Sequence, residues 1–264
     1  MDTGTERLIA KVEGGIGWII FNNPARHNAV SLAMAEALGR VVDAFAADPV
    51  VRVIIVTGAG ERAFVSGADI SEFEEKRATA AAVAHYDGTA EETSHRLEVV
   101  GKPSIAMIRG YCIGGGLDLA LRCDLRIAAE DARFGVPAAK LGLGYSFTEV
   151  RRLADLVGPS FAKEIFFTGR QFNATEALQM RLVNRVVAVA ELERTVRECA
   201  ETIIGNAPLT IAAAKRCVAE VLIDPEDRDL EACQAMVDAC FASADYVEGR
   251  TAFMQKRRPV FQGL

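Results

Sequence analysis

Three consecutive glycines followed by an acid are the residues whose types and spacing point most directly to chemistry. The stretch CIGGGLDLALRC has glycine at 114–116 and then Asp118. A glycine turn that opens a helix lets backbone N–H groups approach a ligand, and the helix N-terminus adds a partial positive charge. The stretch therefore predicts a site for a phosphate or a developing oxyanion, or else a tight turn without a ligand.

The residues around the glycines exclude three common glycine-rich sites. No GK[ST] follows them, so they are not a phosphate-binding loop of the nucleotide hydrolases. The spacing G-x-G-x-x-G of dinucleotide-binding folds is absent, and so is the G-x-S-x-G of a serine-hydrolase turn. An oxyanion site is the more specific expectation that remains.

A second turn of small residues lies upstream, in ERAFVSGADISEF at residues 61–73. It too is expected to link a strand end to a helix start, with Asp69 or Ser71 accepting hydrogen bonds from the first turn of that helix. Two such turns can each supply one N–H group to a single carbonyl oxygen.

These residues resemble the signature blocks of the crotonase family, also called the enoyl-CoA hydratase/isomerase family. The blocks are AFVSGADISEF, GYCIGGGLDLALRCDLRIAAEDARFGVP and EGRTAFMQKRRPVFQG, and NPARHNAVS and FTGRQFNATEALQMRLVNRVV fit as well. The resemblance extends from about residue 10 to residue 262. It implies an α/β fold, a spiral of ββα units with a C-terminal helical subdomain that serves trimers, often paired into hexamers.

The resemblance also implies the chemistry. The substrate would be an acyl- or enoyl-CoA thioester, with coenzyme A as part of the substrate and no permanently bound cofactor. The backbone N–H groups of Ala68 and Gly115 would form an oxyanion hole for the thioester carbonyl. A thioester enolate stabilised there is the shared intermediate of the family.

The sequence departs from the hydratase branch at its two acidic positions. The first family glutamate falls at Asp118, and the second falls at Ala138, directly after FGVP. An aspartate withdraws its oxygens by about 1.5 Å, and a methyl group exchanges no protons. Hydration is therefore expected to be slow relative to a two-glutamate enzyme. Asp118 has the alternative role of stabilising the first turn of its helix. Ala138 is either a residue of the acyl pocket or simply a packing residue.

The stretch LGLGYSFTEV offers other candidates. Tyr145 lies where the methylmalonyl-CoA decarboxylase branch has a tyrosine, and Ser146 lies where the isomerase and dehalogenase branches have an aspartate. Glu149 either points into the acyl pocket or caps the next helix. A decarboxylase needs little acid–base machinery, since an oxyanion hole, a tyrosine hydroxyl and a dry pocket can suffice.

Coenzyme A contacts follow from the same resemblance. Arg26 matches a basic position near the pyrophosphate, and backbone groups of Ser66, Asp69 and Ile70 match contacts on the adenine side. Phe253 and Lys256 match C-terminal contacts that a neighbouring subunit supplies. Arg26 has the alternative role of a solvated charge in a turn.

Composition narrows the classes of protein. The 264 residues carry a formal charge of −6, and a basic footprint for nucleic acid is absent. No apolar run is long enough to span a bilayer, and the acidic start lacks the apolar segment of a signal peptide. The six cysteines form no C-x-x-C pair and are expected to be reduced, which suits the cytoplasm. The three histidines have no metal-site spacing, so no metal is predicted.

The elements that must position these residues alternate along the first part of the chain. Strand patterns such as VRVIIVTG and KPSIAMIRGYC, buried on both faces, alternate with helical patterns, and residues from about 189 to 256 are predicted to be helical only. We expect an α/β core over residues 1–195 and a helical, oligomer-forming region over residues 196–264.

The sequence thus predicts a lyase of the enoyl-CoA hydratase/isomerase family, nominally an enoyl-CoA hydratase. Two alternatives stay open: a decarboxylase of a malonyl-type CoA or an enoyl-CoA isomerase using Tyr145 and Asp118, and a non-catalytic CoA-binding or assembly protein. Neither nucleic acid nor a membrane is expected as a partner.

Overall fold

The computed structural model describes residues 1–69 and 80–264, and it is a mixed α/β structure with a helical C-terminal region, as predicted. Ile70 and Ser71, both singled out in the sequence, lie outside the described residues. The strands are β1 (Leu8–Glu13), β2 (Ile16–Phe21), β3 (Val53–Gly58), β4 (Ala63–Val65), β5 (Ser104–Ile108), β6 (Tyr111–Ile113), β7 (Leu125–Ala129), β8 (Arg133–Gly135), β9 (Phe172–Asn173) and β10 (Arg185–Val187).

The helices are α1 (Leu32–Ala47), α2 (Ala80–Val99), α3 (Gly115–Leu121), α4 (Ala138–Leu141), α5 (Phe147–Thr168), α6 (Ala174–Gln179), α7 (Leu192–Ile204), α8 (Pro208–Val221), α9 (Leu230–Ala242) and α10 (Ala244–Met254). Ser31 caps α1, because its side chain accepts a hydrogen bond from the N–H of Met34.

Within the described residues the strands form two sheets. The first has the order β1-β2-β3-β5-β7-β10, parallel except for the β1–β2 pair, and the second has the order β4-β6-β8-β9. Consecutive strands alternate between the sheets: β3, β5 and β7 enter the first, and β4, β6 and β8 follow them into the second. This alternation is the predicted spiral of ββ units, and it places the ends of β4 and β6 side by side.

The central strands of the first sheet, β3 and β5, are buried on both faces, which explains their continuous apolar sequences. On β3, Ile54 and Val56 face one hydrophobic cluster while Val53 and Ile55 face the other. The second cluster is closed by the apolar face of α7, formed by Leu192, Val196 and Ala200.

The C-terminal helices α8, α9 and α10 present several large apolar side chains to solvent, among them Val218, Val221, Phe241, Val247 and Phe253. The predicted boundary between residues 195 and 196 falls inside α7, and the division of the chain into two parts remains a prediction. Among the described helices, none has the length and apolar character needed to cross a membrane.

Candidate active site

The two small-residue turns predicted from the sequence meet at one edge of the second sheet. Strands β4 and β6 are parallel neighbours, paired at Ala63 with Tyr111 and at Val65 with Cys112. A Cβ atom placed on Gly115 would lie 3.7 Å from the Cα of Gly67 and 4.0 Å from the backbone N of Ala68. The turns are therefore in van der Waals contact, backbone against backbone.

This contact requires glycine in the second turn. Gly114 has a φ of +57°, in the left-handed region that side chains rarely adopt. A Cβ atom on Gly116 would lie 1.9 Å from the carbonyl oxygen of Val65, which is far inside van der Waals contact. The glycine run thus brings α3 against the end of β4.

Two backbone N–H groups at this contact have no hydrogen-bond acceptor among the described residues. Val30 and Ala68 lie opposite each other in an isolated β-bridge. In this bridge the N–H of Val30 donates to Gly67 O and the N–H of Asp69 donates to Val30 O, so the N–H of Ala68 takes no part in it. Gly115 is the first residue of α3, so its N–H has no acceptor within the helix. Both groups are available to a bound oxygen.

A cavity of about 450 Å³ lies at this edge, a size typical of small-ligand sites. It brings together five residues singled out in the sequence, Ala68, Gly115, Asp118, Ser146 and Glu149. The other lining residues are Phe21, Val30, Ala35, Leu38, Gly67, Ala90, Glu91, Ser94, Leu119, Gly144 and Thr148.

Asp118 lies one turn into α3, and two arginines hold its carboxylate. Arg152 of α5 donates from Nη1 to Oδ1 at 2.7 Å, and Arg122 donates from Nε to Oδ2 at 3.2 Å. The Asp118 side chain is 15% exposed, through the cavity that it lines. Burial raises the pKa of Asp118 above the ordinary value of a carboxyl, and the positive charges of the two arginines partly offset that effect.

The two arginines belong to a larger charged cluster that our sequence interpretation missed. The guanidinium of Arg122 is fully buried and also donates to Glu91 at 2.5 Å and to Glu98 at 3.2 Å, both on α2. The spacing of Asp118 and Arg122, four residues apart on one helix, is the signal that was present in the sequence. The partners on α2 and α5 lie far from Asp118 in the sequence, so no pattern of neighbouring residues indicated these ion pairs.

The loop before α5 contributes a tyrosine and a capped glutamate. Glu149 accepts hydrogen bonds from the N–H of Ser146 at 2.8 Å and from its hydroxyl at 2.7 Å, while the N–H of Glu149 donates to Ser146 Oγ. Two roles were predicted for Glu149, capping the helix and pointing into the acyl pocket. The residue forms this capping box and also lines the cavity.

Tyr145 is half-buried and packs edge-on against Phe166, with ring centroids 5.2 Å apart. Its hydroxyl is 3.7 Å from where a Cβ of Gly114 would lie, so it borders the glycine turn. Burial, followed by the charges of Glu149 and Asp118, raises the pKa of Tyr145 to about 12. The hydroxyl is therefore protonated at neutral pH and can donate a hydrogen bond.

Ala138 opens the short helix α4 and is 5% exposed, packed into the main hydrophobic cluster. It is absent from the described lining of the cavity, whereas Ser146 and Glu149 are part of it. Of the three residues predicted for the acyl pocket, the structure thus brings two to the cavity.

The residues predicted for coenzyme A lie in two places. Arg26 donates to Asp69 Oδ1 at 3.1 Å, and the hydroxyl of Ser66 lies 3.4 Å from the carbonyl oxygen of Arg26, so these three cluster beside the first turn. Phe253 is 83% exposed at the end of α10, and Lys256 follows that helix. Neither is among the described residues that line the cavity.

The described residues include no group of three His, Cys, Asp or Glu side chains arranged to hold a metal ion. All six cysteines are in the described part of the chain and are free thiols. Burial raises the pKa of the Cys123 thiol to about 12, and it raises that of Cys112 as well.

Comparisons with known proteins agree with this architecture. A profile of the family described as enoyl-CoA hydratase/isomerase matches residues 11–263. The short-chain-enoyl-CoA hydratase of Clostridium acetobutylicum is 36% identical over 251 residues, which is 95% of each chain. The crotonyl-CoA hydratase of Syntrophomonas wolfei is 34% identical over 256 residues, or 97% of this chain and 98% of that one.

Among solved structures, an enoyl-CoA hydratase/carnithine racemase from Magnetospirillum magneticum superposes with a TM-score of 0.92 at 36% identity. The match covers 98% of this chain and 97% of that chain. The predicted crotonase-type fold is confirmed by this similarity.

Proposed function

This chain belongs to the enoyl-CoA hydratase/isomerase family, and from that premise we propose that it catalyses the reversible addition of water to a short-chain enoyl-CoA. The observation that supports this reaction most directly is the convergence in one cavity of the N–H groups of Ala68 and Gly115, which have no acceptor within the described part of the chain, with the carboxylate of Asp118. The relatives named as hydratases of short-chain and crotonyl-CoA support the choice of substrate.

The N–H groups of Ala68 and Gly115 bind the thioester carbonyl oxygen in this proposal. When water adds at C3, negative charge develops on that oxygen as the enolate forms, and the two donors stabilise it. Removing one donor of such a site typically costs about 3 kcal/mol of transition-state stabilisation. Both donors are backbone groups held by the packed turns, so they need little reorganisation during the reaction.

Asp118 handles the proton in this proposal. Its carboxylate accepts a proton from the attacking water and returns it to C2 of the enolate, so that one carboxylate completes the addition and is regenerated. Both oxygens already accept one arginine hydrogen bond, but a carboxylate oxygen accepts more than one, and Asp118 still lines the cavity. The raised pKa of Asp118 makes it a stronger base than an ordinary aspartate.

The charge of the cavity disfavours the decarboxylase alternative. A malonyl-type substrate would bring its free carboxylate beside Glu91, Asp118 and Glu149, which all line the cavity. The buried Arg122 and the nearly buried Arg152 are both already paired with acids. Repulsion between like charges therefore favours a neutral acyl group.

The test is a comparison of substrates on the purified protein. We expect crotonyl-CoA to be hydrated, with loss of the enoyl absorbance, and we expect Asp118→Asn to slow that loss about 10²- to 10⁴-fold. If the protein releases carbon dioxide from a malonyl-type CoA and hydrates no enoyl-CoA, its function is decarboxylation and the proposal of hydration is wrong. Binding of acyl-CoA without turnover of either substrate would favour the non-catalytic alternative.

Coenzyme A binding is proposed to use the Arg26, Ser66 and Asp69 cluster on one side, with Phe253 and Lys256 contributed by a neighbouring subunit. The separation of Phe253 and Lys256 from the cavity of their own chain supports that division. Calorimetry with acetoacetyl-CoA should show weaker binding in Lys256→Ala, and unchanged affinity in that variant would contradict the contribution from the C-terminus.

We propose further that the chain forms a trimer or a pair of trimers in the cytoplasm. The exposed apolar side chains of α8, α9 and α10 are the kind of surface that subunit contacts cover. Sedimentation equilibrium should give a mass several times 28.4 kDa, and a monomer at all concentrations would contradict this.

A further inference from the structure

The guanidinium of Arg152 is oriented by Glu98, an acid that is not among the described residues lining the cavity. Arg152 donates from Nε to Glu98 Oε1 at 3.2 Å and from Nη2 to Glu98 Oε2 at 3.1 Å. A bidentate pair of this kind sets both the position and the plane of the guanidinium. The remaining nitrogen, Nη1, is thereby directed to Asp118 Oδ1, 2.7 Å away.

Arg122 holds the other oxygen of the same carboxylate in a comparable way. Its Nη1 and Nη2 are committed to Glu98 and Glu91, and its Nε donates to Asp118 Oδ2. Helix α2 thus orients two arginines, one directly after α3 and one on α5, and each of them contacts a different oxygen of Asp118. A free aspartate would rotate about its side-chain bonds, whereas this one has both oxygens tethered.

We propose that Arg152 is a positioning residue for Asp118, and this rests on the proposed function. By holding Oδ1 it fixes the plane of the carboxylate, so that the unused lone pairs face the cavity at a constant angle. Positional errors of about 1 Å can cost about 100-fold in rate, so a tethered carboxylate matters most where the side chain is short. Glu98 acts one step further away, because it sets the plane of Arg152.

Arg152 also adds positive charge to a site with an excess of acids. The charged and titratable groups that face Asp118 or its two arginines come from four parts of the structure: Arg122 directly after α3, Arg152 and Glu149 on α5, Tyr145 before α5, and Glu91 and Glu98 on α2, where His95 contacts Glu98. Loss of the Arg152 cation leaves the ionised form of Asp118 with one positive neighbour, so its pKa rises further.

The experiment separates position from charge with two substitutions. Arg152→Lys keeps a cation but has no planar fork with which to hold both Glu98 and Asp118. We expect kcat for crotonyl-CoA hydration to fall about 10- to 100-fold with little change in KM, while the acidic limb of the kcat/KM profile stays in place. Arg152→Met should lower kcat at least as much and also move the acidic limb to higher pH.

The matched control is Arg151→Met. Arg151 precedes Arg152 on α5, but it pairs with Asp155 at 3.5 Å and with Asp224 at 3.2 Å rather than with the cavity. We expect its rate and pH profile to equal those of the wild type. Thermal unfolding of each variant, followed by circular dichroism, identifies any rate loss that comes from unfolding.

Titration of the Asp118 carboxyl carbon by ¹³C nuclear magnetic resonance gives a readout that needs no turnover, with Asp118→Asn to assign the signal. The pKa of Asp118 should rise in Arg152→Met and stay near the wild-type value in Arg152→Lys. If the wild type hydrates no enoyl-CoA, the proposed function fails, and the titration still tests the contact. Full kcat in Arg152→Lys, or an unshifted Asp118 titration in Arg152→Met, would overturn the role proposed for Arg152.

Discussion

Three helices contribute carboxylates to the described lining of the cavity, and two of these acids, Asp118 of α3 and Glu149 of α5, are held there in different ways. Asp118 is tethered by Arg122 and Arg152, and Arg152 lies 34 residues further along the chain. Glu149 is held by Ser146, three residues before it, in the capping box of its own helix. The first carboxylate depends on the packing of three helices, and the second depends on one helix end.

This difference predicts different roles for the two carboxylates: Asp118 serves catalysis, and Glu149 serves the local stability of α5. The hydrogen bonds of Glu149 satisfy the N-terminus of α5, which would be required with or without a substrate. The arginines around Asp118 leave lone pairs for a ligand and concentrate charge where a cavity opens. We therefore expect substitutions of Asp118 to change rate and substitutions of Glu149 to change mainly stability.

The largest effect is expected for Asp118→Asn. The amide keeps the size of the side chain but cannot accept a proton from water, so kcat/KM for crotonyl-CoA should fall about 10²- to 10⁴-fold. In the wild type, kcat/KM should decline as the pH falls through the raised pKa of Asp118, because the base becomes protonated. Hydration within threefold of the wild-type rate would show that Asp118 is not the base.

Gly116→Ala should come next, because it disrupts the contact between the turns. The added Cβ would lie 1.9 Å from Val65 O, so the glycine turn must move away from β4 and from the N–H of Ala68. We expect a loss of about 10²- to 10³-fold in kcat, similar to the loss of one oxyanion donor.

The control for this substitution is Gly101→Ala, where a Cβ would meet nothing within 4 Å. It should keep the wild-type rate. Equal rates for Gly116→Ala and Gly101→Ala would contradict an oxyanion site at this turn.

Glu149→Ala should have a smaller effect, chiefly on stability. Losing the capping box should lower the free energy of unfolding by about 1 kcal/mol and change kcat less than tenfold. Glu149→Gln is the matched variant, since glutamine also completes a capping box, and it should be near wild type in urea unfolding. If Glu149→Gln loses as much rate as Asp118→Asn, Glu149 is a second catalytic carboxylate and the distinction between the two acids is wrong.

The smallest effect at neutral pH is expected for Tyr145→Phe, which should change the rate of hydration less than about threefold if Asp118 carries out the proton transfer.

The stability of Tyr145→Phe should differ from that of the wild type at high pH. The pKa of Tyr145 is about 12 in the folded protein, against an ordinary value near 10. As the pH rises, the tyrosine therefore ionises in the unfolded chain before it ionises in the folded one. The wild type consequently loses stability between about pH 10 and about pH 12. Urea unfolding at about pH 8 and about pH 11 should show a smaller decline in Tyr145→Phe. An equal decline would mean that the hydroxyl is not buried as described.

Much of the fold was predictable because it depends on local patterns. The continuous apolar runs of β3 and β5 indicated strands buried on both faces, and α7 and α1 cover them as that pattern requires. The caps at Ser31 and Glu149 were also predictable, since a capping side chain bonds to backbone groups within three residues of itself.

The candidate site was predictable only in part. The glycine run and the small-residue turn each indicated an N–H group facing a ligand, and neighbouring parallel strands bring such turns to one edge. Ala138 had two interpretations from the sequence, a residue of the acyl pocket or a packing residue, and its side chain packs in the hydrophobic cluster. That outcome depends on how α4 is oriented, which its four residues do not encode.

The sequence by itself determined the two turns, the helix that follows the glycines, and the presence of Asp118 where a glutamate was expected. Each of these follows from steric and hydrogen-bonding rules that act within a few residues. Only the tertiary structure decided what surrounds Asp118: Glu91, Glu98 and Arg152 are 27, 20 and 34 residues away in sequence, and they converge because α2, α3 and α5 pack together. Charges at such separations interact through the distance between them in space, which no local pattern specifies.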